Sequence, residues 1–106
     1  MNYAALLHKA VTTAPADGQA AYVEPHDQVL LSLDGSCTSF AATLEGRSRQ
    51  NGGWFPLDAV QRGSLTVTSG PVSAKGLYAV GALGLRELRV RLTAVAGGDL
   101  TAAVYR

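Results

Sequence analysis

The sequence predicts an all-β fold, a single antiparallel β-sandwich of about eight short strands, jelly-roll or immunoglobulin-like in kind. Three observations lead there. Apolar and polar residues alternate with a period of two in one segment after another, which places each apolar set on one face of a strand. Most of these segments end in Gly, Pro, Asn or Asp, the residues that make tight turns. No helical pattern runs longer than about three turns.

Residues 1–13 admit two readings: Tyr3, Leu6, Leu7 and Ala10 fall at helical spacing, whereas Ala10 to Thr13 suits a strand. Residues 1–17 are therefore expected to form an N-terminal arm or short capping segment, with 18–106 as the sandwich domain. Ala20 to Val23 is a weak strand ending at Glu24-Pro25, because proline cannot donate to a ladder. Gln28 to Leu33 turns Val29, Leu31 and Leu33 inward, and Thr38 to Glu45 does the same with Phe40, Ala42 and Leu44. Asn51-Gly52 is a strong hairpin signal, so the strands flanking it are expected to pair.

Trp54 to Val60 reads as one strand with Phe55, Leu57 and Ala59 on one face and Trp54 on the other, and Pro56 marks it as an edge or a bulge. Ser64 to Thr68 places Leu65 and Val67 inward. Leu77 to Ala82 and Glu87 to Val95 are expected to form a hairpin turned at Gly84. The second of these carries Leu88, Val90, Leu92 and Ala94 inward, with Arg89, Arg91 and Thr93 in a row outside. Leu100 to Tyr105 closes the fold with Leu100, Ala102 and Val104 on one face. The expected core also includes Val80.

Composition narrows the function. The chain has 106 residues, enough for one domain. Charged residues are 16% of it against 47% hydrophobic, below the usual quarter, which suggests that some surface meets protein rather than water. A net charge of +1 offers no general attraction to nucleic acid or to an anionic membrane. The N-terminus lacks the charged leader and apolar run of a signal peptide, so synthesis and folding in the cytoplasm are expected.

No catalytic, cofactor or metal site can be assembled from the sequence. His8 and His26 do not stand at metal-ligand spacing from Cys37, and both are expected on the surface or in loops. Cys37 reads as a buried structural residue without the basic neighbour that an active thiolate needs. Ser36, Ser39 and Ser48 lack a nucleophile-elbow context. The carboxylates Glu24, Asp27, Asp34, Glu45, Asp58 and Asp99 are scattered among turns and strand ends. A glycosidase would need two of them facing each other, and a hydrolase of another kind a Ser/His pair.

What stands out instead is a set of contact residues. Trp54 and Phe55 are adjacent, so one of them is expected in the core and the other outside, Trp54 being the one assigned to packing. Arg86, Arg89 and Arg91 are too few for a nucleic-acid footprint and are expected to meet carboxylates on this chain or on a partner. With Tyr3, Leu6 and Leu7 of the arm, these are the candidate interface residues.

The order of short motifs resembles that of small tailed-bacteriophage virion proteins built as single β-sandwich modules. The residues carrying the resemblance are Leu33-Asp34-Gly35-Ser36, Phe40 to Gly46, Asn51-Gly52-Gly53-Trp54-Phe55-Pro56-Leu57, Gly76-Leu77-Tyr78-Ala79-Val80, Gly84-Leu85 and Val90-Arg91-Leu92-Thr93-Ala94. The match covers roughly residues 18–105 in motif order, with departures at the N-terminus and at Arg47. The resemblance implies a non-enzymatic virion protein, foremost a capsid decoration or cement protein that binds major-capsid subunits or other virion proteins. It also implies a homo-oligomer, with a trimer favoured by the local symmetry of a capsid lattice. The alternative it leaves open is a tail- or fibre-associated module that recognises a receptor or glycan, which an exposed Trp54 in a groove would favour.

Overall fold

The computed structural model describes residues 4–24, 26–49, 51–63, 67–68 and 70–106. It is a sandwich of two antiparallel sheets, and the described residues contain no helix. Ten strands follow one another: β1 (Ala4–Val11), β2 (Ala21–Tyr22), β3 (Gln28–Asp34), β4 (Ser39–Arg47), β5 (Phe55–Pro56), β6 (Ala59–Gln61), β7 (Val67–Thr68), β8 (Gly76–Gly81), β9 (Glu87–Ala96) and β10 (Leu100–Tyr105). One sheet has six strands in the order β1-β10-β3-β8-β6-β7, and the other has four in the order β2-β9-β4-β5. The surplus over about eight comes from the N-terminal segment, which is the strand β1, and from the division of Trp54 to Val60 into β5 and β6.

The alternation read from the sequence holds where strands are long. Val29, Leu31 and Leu33 of β3, Phe40 and Leu44 of β4, Val80 of β8 and Leu88, Val90 and Leu92 of β9 are all buried, as are Leu100 and Val104 of β10. Val23, Val72, Tyr78 and Ala82 complete the core from shorter segments where alternation has no room to show. Gly46 also faces inward on β4. A Cβ there would lie 2.9 Å from Leu57 Cδ1 and 3.0 Å from Leu85 Cδ1, so a side chain at 46 would displace both leucines.

The expected β8–β9 hairpin does not form. β8 pairs with β3 and β6 in one sheet, and β9 pairs with β2 and β4 in the other. Residues 82–86 are a crossing between sheets, which lets Val80 and Leu88 enter the core from opposite sides. The stretch Trp54 to Val60 is likewise divided. Phe55–Pro56 lies at the edge of the four-stranded sheet, as Pro56 requires, and Ala59–Gln61 lies in the six-stranded one. The crossing breaks the period, so Ala59 is buried and Leu57 packs on the core, while Phe55 is 65% exposed.

Two further inward assignments fail. Val67 is 57% exposed, because β7 is an edge strand on which Val67 opposes the outward Val60. Its expected companion Leu65 lies outside the described residues. Ala94 is also exposed: the register steps from Ala41↔Ala94 to Ala42↔Leu92, leaving Thr93 as an extra residue in β9. The Thr93 hydroxyl donates to Ala41 O at 3.0 Å, and Val95 takes over the inward position.

The N-terminal segment is a strand, paired with β10 along the edge of the six-stranded sheet. Its register shifts between Leu6 and His8, so Leu7 and His8 are both buried while Leu6 stays 52% exposed. His8, expected on the surface, is only 3% exposed; its Nε2–H donates across the sandwich to Val90 O of β9 at 2.6 Å. Gly18 makes room for it. Its φ is +69°, and a Cβ there would lie 2.5 Å from Leu7 O and 2.6 Å from the imidazole.

Tyr78 carries the other buried polar group of the core, its hydroxyl donating to Ala74 O at 2.5 Å. Burial raises its pKa above the ordinary 10.0, because the phenolate is the poorly solvated form. The neutral phenol therefore contributes stability that is full below that ordinary value and is lost as pH rises through the raised one. Urea midpoints are expected to fall on the alkaline side of pH 10 in the wild type and to fall less in Tyr78→Phe. The bulge supplies a second test. Leu92→Ala is expected to cost about 2–5 kcal/mol, whereas Ala94→Lys, two residues along, should stay within about 0.5 kcal/mol in the same denaturation experiment.

Candidate functional site

The outer face of the four-stranded sheet holds most of the candidate interface residues. Its geometry follows from the β4–β9 register, which sets Arg47 opposite Glu87, Glu45 opposite Arg89 and Thr43 opposite Arg91. Opposite charges thus face each other directly on neighbouring strands, the favourable arrangement for cross-strand pairs. Arg47 bonds Glu87 at 2.6 Å and Arg89 bonds Glu45 at 2.8 Å, all four side chains being about four-fifths buried or more. Asp17 extends the lattice. Ala16 bridges to Leu92 by paired backbone bonds of 2.9 and 2.8 Å, which brings the Asp17 carboxylate within 3.6 Å of Arg91 and 4.0 Å of Arg89.

The Trp54 ring covers part of this lattice. The Asn51-Gly52 turn, with Asn51 at φ 63°, folds the chain back so that β5 pairs with the end of β4, as the hairpin signal predicts. Trp54 then lies outside, with the guanidinium of Arg47 4.5 Å and that of Arg89 4.3 Å from its ring centroid. Neither Trp54 nor Phe55 belongs to the core, contrary to the expectation for the pair. β5 sits at the edge of the four-stranded sheet, where Phe55 is exposed and Trp54 packs on the guanidinium groups of Arg47 and Arg89. At the opposite edge the Arg86 guanidinium lies 5.0 Å from the Tyr22 ring, and Tyr22 is 46% exposed. The Tyr22 hydroxyl donates to Glu24 at 2.8 Å, and that bond, more than any other influence, raises its pKa.

Arg89 and Arg91, expected to meet carboxylates on this chain or a partner, meet them on this chain. Of the arm residues, Leu7 is buried in the chain's own core and is not available to a partner. Leu6 is exposed, and Tyr3 lies outside the described residues. Cys37 is buried, as its sequence context indicates. Among the described residues no group of three or more His, Cys, Asp or Glu is arranged to hold a metal ion.

The other outer face went unread in the sequence. On the six-stranded sheet the register aligns Tyr105, Leu30, Ala79, Val60 and Val67 in one row across β10, β3, β8, β6 and β7. A second row beside it runs Leu6, Ala103, Ser32 and Leu77 across β1, β10, β3 and β8. Eight of these nine side chains are apolar or aromatic and none is charged. The signal was the apolar doublets Leu30-Leu31 and Ala102-Ala103, since a strand covered on both faces loses its polar alternation.

The ion-pair lattice yields a stability test that separates its two arginines. Arg89→Ser leaves the largely buried Glu45 carboxylate without its partner and is expected to cost about 1–3 kcal/mol. Arg91 is half exposed and only loosely tied to Asp17, so Arg91→Ser should cost under about 1 kcal/mol. Chemical denaturation of the two single variants measures the difference.

A comparison with curated proteins finds no match. Solved structures share the fold. The SPBc2 prophage-derived protein YomS superposes with a TM-score of 0.85 at 18% identity, over 99% of this chain and 92% of that one. The PBSX exported protein XepA superposes with a TM-score of 0.89 at 19% identity, over 99% of this chain and 37% of that one. At these identities the likeness is one of fold, and the chain spans little more than a third of XepA's length. Both relatives are prophage products, so the resemblance to phage proteins holds at that coarser level. The sequence matches the XepA family over residues 2–103, and the chain belongs to that family.

Proposed function

We propose that the chain is a non-enzymatic structural protein of a phage particle, working by adhesion as a capsid decoration or cement module. The observation that carries this reading is the character of its two broad faces. One is an apolar sheet face without a charged side chain in its central rows, and the other a self-neutralised lattice partly covered by the Trp54 ring. Such faces suit contact with folded protein. His8 and Cys37, which carry the chemistry of a base and a nucleophile, are both spent in the core. Membership of a family with prophage relatives supports the phage setting.

The rival reading, a tail or fibre module that binds glycan, draws on the exposed Phe55 beside Trp54 and on the exposed Tyr22 at the opposite edge of the same sheet. It is the weaker one, because two guanidinium groups already pack against the Trp54 ring that would stack on a sugar. Particles produced from the genome that encodes this chain provide the test. Immunogold labelling and mass spectrometry of purified particles are expected to find it on the head in many copies. Detection only in the particle-free lysate would overturn the reading, and labelling confined to the tail tip would favour the rival.

A further inference from the structure

We propose that an open cleft between β3 and β8, on the six-stranded sheet, is a saccharide site that takes the vicinal hydroxyls of a single sugar ring. This goes beyond the reading as a structural protein and does not rest on it. The cleft has a volume of about 310 Å³ and is lined by Ser32, Leu33, Asp34, Lys75, Gly76 and Leu77. That volume lies at the lower end of the range for small-molecule sites. The register accounts for its walls: Ser32 stands opposite Leu77 and Leu33 opposite Gly76, and Asp34 and Lys75 come next beyond the last pair. On the other sheet, charges on neighbouring strands close on one another, as Arg47 does on Glu87 and Arg89 on Glu45. Here they stay open. Among the described residues neither Asp34 nor Lys75 joins a salt bridge.

The backbone of Gly35 engages both charges. Its N–H donates to Asp34 Oδ1 at 2.8 Å, and its carbonyl accepts from Lys75 Nζ at 2.7 Å. Gly35 is itself hemmed in, since a Cβ there would lie 2.3 Å from Asp99 O. The other Asp34 oxygen and the remaining Lys75 protons are left to bind a ligand. The Ser32 hydroxyl likewise makes no hydrogen bond among the described residues. These groups select what enters. An anion would gain from Lys75 and be repelled by Asp34, and a cation the reverse, so a neutral molecule is favoured. It must donate to a carboxylate and accept from an ammonium, and each hydroxyl of a vicinal diol does both. A zwitterion also meets both charges, but it gives up the hydration of two ions to do so. Leu77, 45% exposed, adds an apolar wall for the C–H face of a sugar ring, a face that a small zwitterion lacks.

Two-dimensional NMR titration of the purified, isotope-labelled chain tests this, with glucose, galactose, mannose and N-acetylglucosamine as probes. All four carry a vicinal diol. At least one is expected to give saturable shifts centred on the amides of Ser32, Gly35, Gly76 and Leu77, with a dissociation constant in the millimolar range. Asp34→Asn keeps an acceptor for the Gly35 amide and loses the charge, while Lys75→Met keeps the stem and loses the donors. Each should weaken binding about tenfold, with far-UV circular dichroism unchanged. Should Asp34→Asn loosen its turn, Lys75→Met decides alone, because it leaves the Asp34 bond in place. Phe55→Ala, at the edge of the other sheet, should bind as the wild type does. The absence of a saturable shift with all four sugars would overturn the inference. So would shifts centred on Trp54 and Phe55, or binding that survives the cleft variants. Glycine or sulfate binding in the cleft without a response to sugars would overturn it too, by assigning the cleft to a zwitterion or an anion. Failure here leaves the decoration role standing, and absence of the chain from particles leaves the saccharide site standing.

Discussion

The inward row of β9, Leu88, Val90 and Leu92, is buried in one core with the inward rows of the six-stranded sheet, and most of the architecture depends on that burial. The three side chains are essentially without solvent exposure, and burying each contributes about 1.5–3 kcal/mol. Because the row belongs to the longest strand of the four-stranded sheet, its placement determines the register of β4 beside it. That register decides which charges oppose one another outside. A slip of one residue would turn the leucines outward and carry the arginines into the core, so the hydrophobic contact also holds the polar face in place. His8 adds a directed tie at the same place, bonding the backbone of Val90 from the other sheet.

The outer lattice is a consequence of this arrangement rather than an independent source of attraction. Arg47, Glu87, Arg89 and Glu45 satisfy one another at 2.6 to 2.8 Å, so the strand that reads as a basic stripe carries little unbalanced charge. Its surface is hydrogen-bonded, stiff and partly covered by Trp54. The six-stranded sheet has the opposite character, apolar outside as well as inside. A sandwich of this kind presents two unlike broad faces.

The relatives show how such a unit is used by chains of different size. In YomS the same fold accounts for nearly the whole protein, and in XepA for little more than a third. A sandwich that tolerates both settings carries its own core, here closed at each side by a chain crossing between the sheets. At one side the Gln19 amide donates to Leu7 O, and at the other the chain passes from β5 to β6 within two residues.

Fold class and the inward faces of β3, β4, β9 and β10 were legible in the residues alone. Period-two alternation over five residues or more is a local property, and Asn51-Gly52 announces its hairpin through the positive φ that both positions accept. The phage setting was legible through the order of motifs. What the tertiary structure decided were the matters in which distant residues compete for the same space. Gly84 looks like the turn of a hairpin, yet β8 and β9 separate, because each finds a longer partner in a different sheet. Ala94 continues the inward pattern until Thr93 is squeezed out by pairing with Ala41. His8 reads as polar and is buried, because Gly18, ten residues on, leaves a space that the imidazole fills and Val90 supplies the acceptor. The apolar outer face is of the same kind: Tyr105, Leu30, Ala79, Val60 and Val67 become one surface only when five strands align. Strand order and register, which create that neighbourhood, are set by the packing of the whole core and by no local stretch of sequence.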